Sequence, residues 1–210
     1  MIRKYAAYFI FLIAVISLAS GCASSGRQAK GESPQVVSFK DYPDHELNLR
    51  GYIQGMSKAG HNILLWQDPS VDLSQYDSVE IMAFGSRFLP VQNKFSYDPF
   101  IKNFDLALNR SLKLKAGQGP NALRIEGEVV ECNPGSRAAR YWVGYGAGKA
   151  GAGVICEVYL PDQTRPCIKI YSRDRASSGM WGGDSIAMLN SMFDRVATRV
   201  ATALEARIGR

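Results

Sequence analysis

Two cations, a run of 14 apolar or small residues from Tyr5 to Leu18, and the small residues Ala19-Ser20-Gly21 ahead of Cys22 open this chain. Arg3 and Lys4 before such a run, with small residues behind it, form the pattern of a secretory signal peptide. The run falls short of the roughly 20 apolar residues that a membrane-spanning helix needs. Residues 1–21 are therefore expected to be removed, so that what folds starts at Cys22 and does so in an oxidising compartment.

The formal charge is +6, of which Arg3 and Lys4 leave with the leader. No block of like charge occurs, so nucleic acid is excluded as a partner, whereas anionic headgroups or wall polymer fit the mild basic excess. With 46% apolar residues there is material for one core,. Residues 22–38 are polar, small and broken by Gly and Pro, which predicts a tether. A flexible chain of that length spans roughly 20–25 Å. Residues 39–69 mix Leu47, Tyr52 and Ile63 with Pro43, Gly51 and Gly60, which predicts an ordered but irregular wrapping segment with one short strand at 62–66.

The remaining 70–208 read as a single α+β domain in the order β-α-β-β-β-α, a mostly antiparallel sheet with two helices packed on one face. Residues 78–84 alternate and stop at Gly85, which suits a strand. Asp98-Pro99 is a helix start with Asp98 as the capping residue, and Ile101, Phe104, Leu108 and Leu112 fall on one helical face behind it. Leu123, Ile125, Gly127 and Val129 alternate with charged residues, the pattern of a half-buried strand. Strands follow at 154–160 and 167–173, joined by a turn at Pro161-Asp162-Gln163-Thr164. A last helix over 185–208 starts after Asp184, and Ile186, Leu189, Phe193, Val196, Val200 and Leu204 line its apolar side.

Residues that could carry chemistry are sparse. Gly146-x-Gly148-x-x-Gly151 matches a dinucleotide fingerprint in letters, but a strand follows it instead of a helix, and Val143 and Ala150 break a phosphate-binding loop. The Gly-rich stretch reads either as a bent strand approached by another element or as a contact surface, with Arg140, Tyr141, Trp142, Tyr145, Lys149 and Trp181 as aromatic and cationic anchors. His45 and His61 read as solvated, and Glu126 and Glu128 as charges on an exposed sheet face. No catalytic residue, cofactor site or metal site is expected. Apart from Cys22 there are three thiols, Cys132, Cys156 and Cys167. If the 161–164 loop has two residues, Cys156 and Cys167 are directly opposed and can bridge; if it has four, they are diagonal and too far apart.

Ala19-Ser20-Gly21-Cys22 resembles the lipobox of bacterial lipoproteins. That resemblance implies acylation of Cys22 as the new N-terminus, and Ala23 in place of Asp implies the outer membrane. Tyr76-Asp77-Ser78-Val79, Arg140-Tyr141-x-x-Gly144-x-Gly146-Ala147-Gly148 and Gly182-Gly183-Asp184 are similar to a family of Gram-negative lipoproteins with a C-terminal domain of unknown function. This likeness covers residues 70–208. The element order also resembles periplasmic domains of curli-secretion-channel-type and synthase-activator lipoproteins. The expectation is a non-enzymatic binding or scaffold module, held at the periplasmic face of the outer membrane and contacting another envelope protein or itself. The alternative is a subunit of an oligomeric secretion or transport assembly.

Overall fold

The computed structural model describes residues 37–91, 95–117, 121–135, 150–176 and 185–208. They all belong to one compact unit, Val36–Arg210. A 3-10 turn, Phe39–Asp41, and a short helix α1, Leu49–Tyr52, precede strands β1 (Ser57–Gly60), β2 (Ile63–Gln67) and β3 (Ser78–Ile81). Helix α2 (Asp98–Ser111), strands β4 (Lys115–Ala116), β5 (Ala122–Asn133), β6 (Ala150–Tyr159) and β7 (Pro166–Ala176), and helix α3 (Ser185–Glu205) complete the order.

The seven strands form one sheet in the order β1-β2-β7-β6-β5-β3-β4. Four pairings, from β1 to β5, are antiparallel; β3 pairs with β5 and β4 in parallel. The architecture is α+β and mostly antiparallel, with the parallel corner made by the crossover from β3 through α2 to β5. Strands β1, β2 and β4 extend the pattern read from the sequence, and β2 covers the expected short strand almost residue for residue.

Both faces of β6 are covered, and all ten of its residues are buried. Its side chains alternate. Ala150, Ala152, Val154, Cys156 and Val158 join the main core beneath α2 and α3, whereas Ile155 packs in a second cluster on the opposite face with Phe39, Tyr52 and Tyr171. Helix α2 buries Phe100, Ile101, Phe104, Ala107 and Leu108. Helix α3 buries Leu189, Met192, Phe193, Val196, Ala197, Val200, Ala201 and Leu204. The two helices meet through Phe104, whose ring stands edge-on to Phe84 at 4.8 Å and to Phe193 at 6.4 Å.

Three local expectations change. Tyr97, not Asp98, is the residue before the first turn of α2, and no side chain caps that end; Asp98 and Pro99 lie inside the helix. Ile186 is 46% exposed, because the apolar face of α3 begins one turn later at Leu189. The β6–β7 connection has Tyr159 opposite Pro166, with a bulge between Val158 and Tyr159. This places Cys156 opposite Ile170, three residues beyond Cys167, so the Cys156–Cys167 bridge is not made. Instead the Cys167 thiol donates to the Val158 carbonyl at 3.3 Å.

Two measurements check this packing. Phe104→Ala is expected to cost about 3–5 kcal/mol in urea unfolding, because a fully buried ring with two aromatic neighbours leaves a cavity. Leu106→Ala, on the exposed side of α2, is expected to change stability by less than about 0.5 kcal/mol. Burial pushes the Cys132 thiol up to about 12 and the Cys167 thiol up to about 11, and raises Cys156 further. Native protein is therefore expected to leave all three unlabelled by a thiol reagent at neutral pH, and unfolded protein to label them fully without reductant. A native disulfide detected in the mass would contradict this.

Candidate functional site

The face of the sheet away from the helices carries a row of charges at its centre. Register sets Glu126 of β5 opposite Glu157 of β6, Glu157 opposite Lys169 of β7, and Lys169 opposite Trp66 of β2. Directly opposed side chains in antiparallel strands lie about 4.5–5.5 Å apart at Cβ. Such a row at the middle of a sheet must be solvated or covered. Here residues 37–56 cover it as a strap.

Glu157 is fully buried and its two oxygens accept four hydrogen bonds. Oε1 accepts from the Phe39 backbone N–H at 2.9 Å and from the Tyr52 hydroxyl at 3.0 Å. Oε2 accepts from Ser38 Oγ at 2.7 Å and from the Tyr159 hydroxyl at 2.5 Å. Three of these donors belong to the strap. Burial raises the Glu157 pKa above its ordinary 4.5, and the four hydrogen bonds oppose that shift,. Lys169 completes the clamp. Its Nζ donates to the Val37 carbonyl at 2.5 Å and the Tyr52 carbonyl at 3.2 Å, and stands 4.1 Å from the centre of the Tyr52 ring. Burial lowers the Lys169 pKa, and the Glu157 and Asp41 charges oppose it.

The strap has its own local logic. Ser38 caps the 3-10 turn in a reciprocal capping box with Asp41, and Asn48 caps α1 through the Gly51 N–H at 3.0 Å,. These caps orient Phe39 and Tyr52 downward onto Ile155 and Tyr171. Arg87 ties the next loop in, donating to the Phe39 carbonyl at 2.6 Å while its backbone N–H bonds Glu128 at 3.1 Å. Glu126 pairs with Arg124 at 2.6 Å and with Lys40 at 2.5 Å. Glu126 and Glu128 therefore sit beneath the strap and its neighbouring loop, not on an open sheet face. Sequence reading missed Glu157; the signal available was an isolated acid inside the otherwise apolar Val154–Leu160.

The lone pairs of Glu157 are committed to donors that close it off, so this cluster is built to hold the strap and presents no reacting atom. Open space lies beside Lys40, Arg87, Glu126 and Glu128, in a hollow of about 380 Å³, and at the β1 edge. A cavity of about 470 Å³ there is lined by Arg50, Lys58 and Arg173 over Leu49, Ile53 and Tyr171. His61 lines a second hollow, of about 280 Å³, between the β1–β2 turn and α3. His45 is exposed, with Nδ1 3.1 Å from the Leu89 carbonyl. Among the described residues no group of three or more His, Cys, Asp or Glu could hold a metal ion.

The expected contact residues Arg140, Tyr141, Trp142, Tyr145, Lys149 and Trp181, and the expected lipidation site Cys22, lie outside the described residues. Asn133 pairs with Gly151, and Ala150 with Ala176, so the end of β5, the start of β6 and the end of β7 lie together at one end of the sheet. Within the described part of the Gly-rich run, the space beside Gly151 and Gly153 is filled by the Glu131 side chain of β5. A Cβ at Gly151 would overlap its carboxylate. The close neighbour is thus the adjoining strand's own side chain.

A family model described as a domain of unknown function, DUF4410, matches residues 105–179, from inside α2 through β7. No curated protein matches the chain. Among solved structures, the PelC dodecamer from Paraburkholderia phytofirmans is 12% identical, with a TM-score of 0.45 over 67% of this chain and 96% of that one. The hypothetical protein CT253 from Chlamydia trachomatis is 11% identical, with a TM-score of 0.40 over 62% and 96%. A minor lipoprotein from Acinetobacter baumannii is 9% identical, with a TM-score of 0.38 over 62% and 94%.

Glu157→Leu removes the acceptor of four donors and is expected to cost at least about 3 kcal/mol in urea unfolding. Glu157→Gln is expected to cost less, since the two hydroxyls at Oε2 can turn to accept from an amide. A raised carboxyl pKa in the fold means that Glu157 favours folding most when protonated. That contribution is full below 4.5 and is lost as pH rises through the folded value,. The stability of the wild type relative to Glu157→Gln is therefore expected to fall as pH rises above about 4.5,. A difference that grows with pH would contradict the assignment.

Proposed function

We propose that this chain is a lipoprotein held at the periplasmic face of the outer membrane through acylated Cys22, and that its α+β domain is a non-enzymatic binding or scaffold module for another envelope component. The observation that carries this reading is the N-terminal order Arg3-Lys4, apolar run, Ala19-Ser20-Gly21-Cys22. Two acyl chains suffice for stable anchoring. The fold supports the idea of a tethered module, because the strap begins at the residues that follow the tether and is locked to the centre of the sheet. Fourteen residues lie between Cys22 and Val37, and a flexible chain of that length spans roughly 20 Å,. Tethering at such a distance raises the effective concentration of the module for anything else at the same membrane. The contact surface we assign is Arg140–Lys149 with Trp181, on their aromatic and cationic side chains,.

Mass spectrometry of the protein isolated from membranes is expected to show a chain starting at Cys22 and heavier by its acyl groups, and Cys22→Ser is expected to abolish both. A mature chain cut elsewhere and carrying no lipid would overturn the anchor. Light scattering in mild detergent separates the two roles. A monomer or dimer fits the module, and a uniform large oligomer fits the alternative of a subunit in a secretion or transport assembly.

A further inference from the structure

The strap face carries a feature that neither the lock nor the tether uses, the basic groove at the β1 edge. Its cations come from three separate elements, Arg50 from α1, Lys58 from β1 and Arg173 from β7. None of them makes an ion pair among the described residues, and no carboxylate lines the groove. The acids nearest to Arg173 along β7 and across β6 on β5 are committed elsewhere. Glu131 is held by Arg175 at 2.9 Å, and Asp174, on the opposite face of β7, by Arg195 at 2.6 Å. Arg173 lines the groove with Tyr171, two residues before it on the same face of β7, beside the apolar floor of Leu49, Ile53 and Tyr171.

We propose that this groove seats the phosphate headgroup of an anionic phospholipid from the membrane that holds the chain; the inference rests on the anchored reading above. The three cations meet the phosphate, and the apolar floor meets the glycerol and the first methylenes, for which a free inorganic anion has no use. Position argues the same way. Lys169, Tyr171 and Arg173 follow one another along one face of β7, so Arg173 lies about 13 Å from Lys169. Lys169 holds the carbonyl of Val37, where the tether enters the fold. Val37 thus lies on the face that bears the groove, and on the anchored reading it is the described residue nearest in sequence to Cys22. A groove with opposing charge elsewhere on the domain would gain nothing from this attachment.

The test uses the full chain purified from membranes in mild detergent, analysed by native mass spectrometry with dihexanoyl phosphatidylglycerol, dihexanoyl phosphatidylcholine and inorganic phosphate as probes. Phosphatidylglycerol is expected to be retained about five-fold or more over phosphatidylcholine. Arg50→Ser/Lys58→Ser/Arg173→Ser is expected to remove that preference with an unchanged melting temperature. Should the triple variant fold poorly, Arg50→Ser/Lys58→Ser, on exposed side chains, is expected to remove most of it. Equal retention of the two lipids, or a preference that survives the variants, would overturn the proposal. Displacement of phosphatidylglycerol by an equal concentration of inorganic phosphate would overturn it too, leaving a free-anion site. The same spectra report the acyl mass on Cys22. An acylated chain without lipid preference sinks the groove and leaves the anchor; an unacylated chain that selects phosphatidylglycerol sinks the anchor.

Discussion

The hydrogen bonds that converge on the Glu157 carboxylate decide how the N-terminal third of this domain is arranged. A carboxylate at the middle of a central strand, closed off from water, is costly unless its lone pairs are filled. From within the sheet only Tyr159 donates to it among the described residues. The other three donors, Ser38 Oγ, the Phe39 N–H and the Tyr52 hydroxyl, come from residues more than a hundred positions earlier in the chain. The strap must therefore dock, and in one register, because a shift of one residue would withdraw all three donors together. Phe39 and Tyr52 then add apolar contact with Ile155 and Tyr171 that fixes the strap without specifying its position.

From this one constraint follow features that otherwise look unrelated. Lys169 stands opposite Glu157 in the sheet yet spends its donors on strap carbonyls, so the two charges hold the strap from both sides. Glu126 and Glu128 come under cover with Arg124, Lys40 and Arg87 to answer them. At the far end of the same face Glu131 is taken by Arg175, which leaves Arg50, Lys58 and Arg173 without an acid partner among the described residues, and this is the origin of the basic groove. On the helix face the buried Asp174 is answered by Arg195 and Arg199 of α3, and the centre is filled by aromatic and aliphatic packing around Phe104 and Phe193.

The elements that alternate or recur with a clean period were legible. β5, β7, α2 and α3 each expose that period because one face meets a core and the other meets water or charge. The central strand was half legible. Ala150 to Gly153 carries no alternation in hydropathy, since small residues serve both a helix on one side and the Glu131 side chain on the other. The parallel corner of β3, β4 and β5 could not be read, because strand order is a property of the crossover and not of any segment. Nor could the Cys156–Cys167 spacing be settled, because it depends on the length of the connection: Tyr159 pairs with Pro166, which already takes Cys167 away from Cys156, and the bulge at Val158 and Tyr159 moves the opposed residue one further, to Ile170. Glu157 was hidden for a different reason. A buried acid is recognised by its donors, and here they sit in the stretch with the least regular pattern.

Hydrogen exchange at the Phe39 amide tests the strap lock most directly. Its N–H donates to Glu157 Oε1 in the interior, so its protection is expected to match that of the β6 amides and to fall with them in Glu157→Leu,. Exchange of Phe39 at the rate of a free peptide, while β6 stays protected, would mean that the strap is not held by Glu157 and would contradict the arrangement described above.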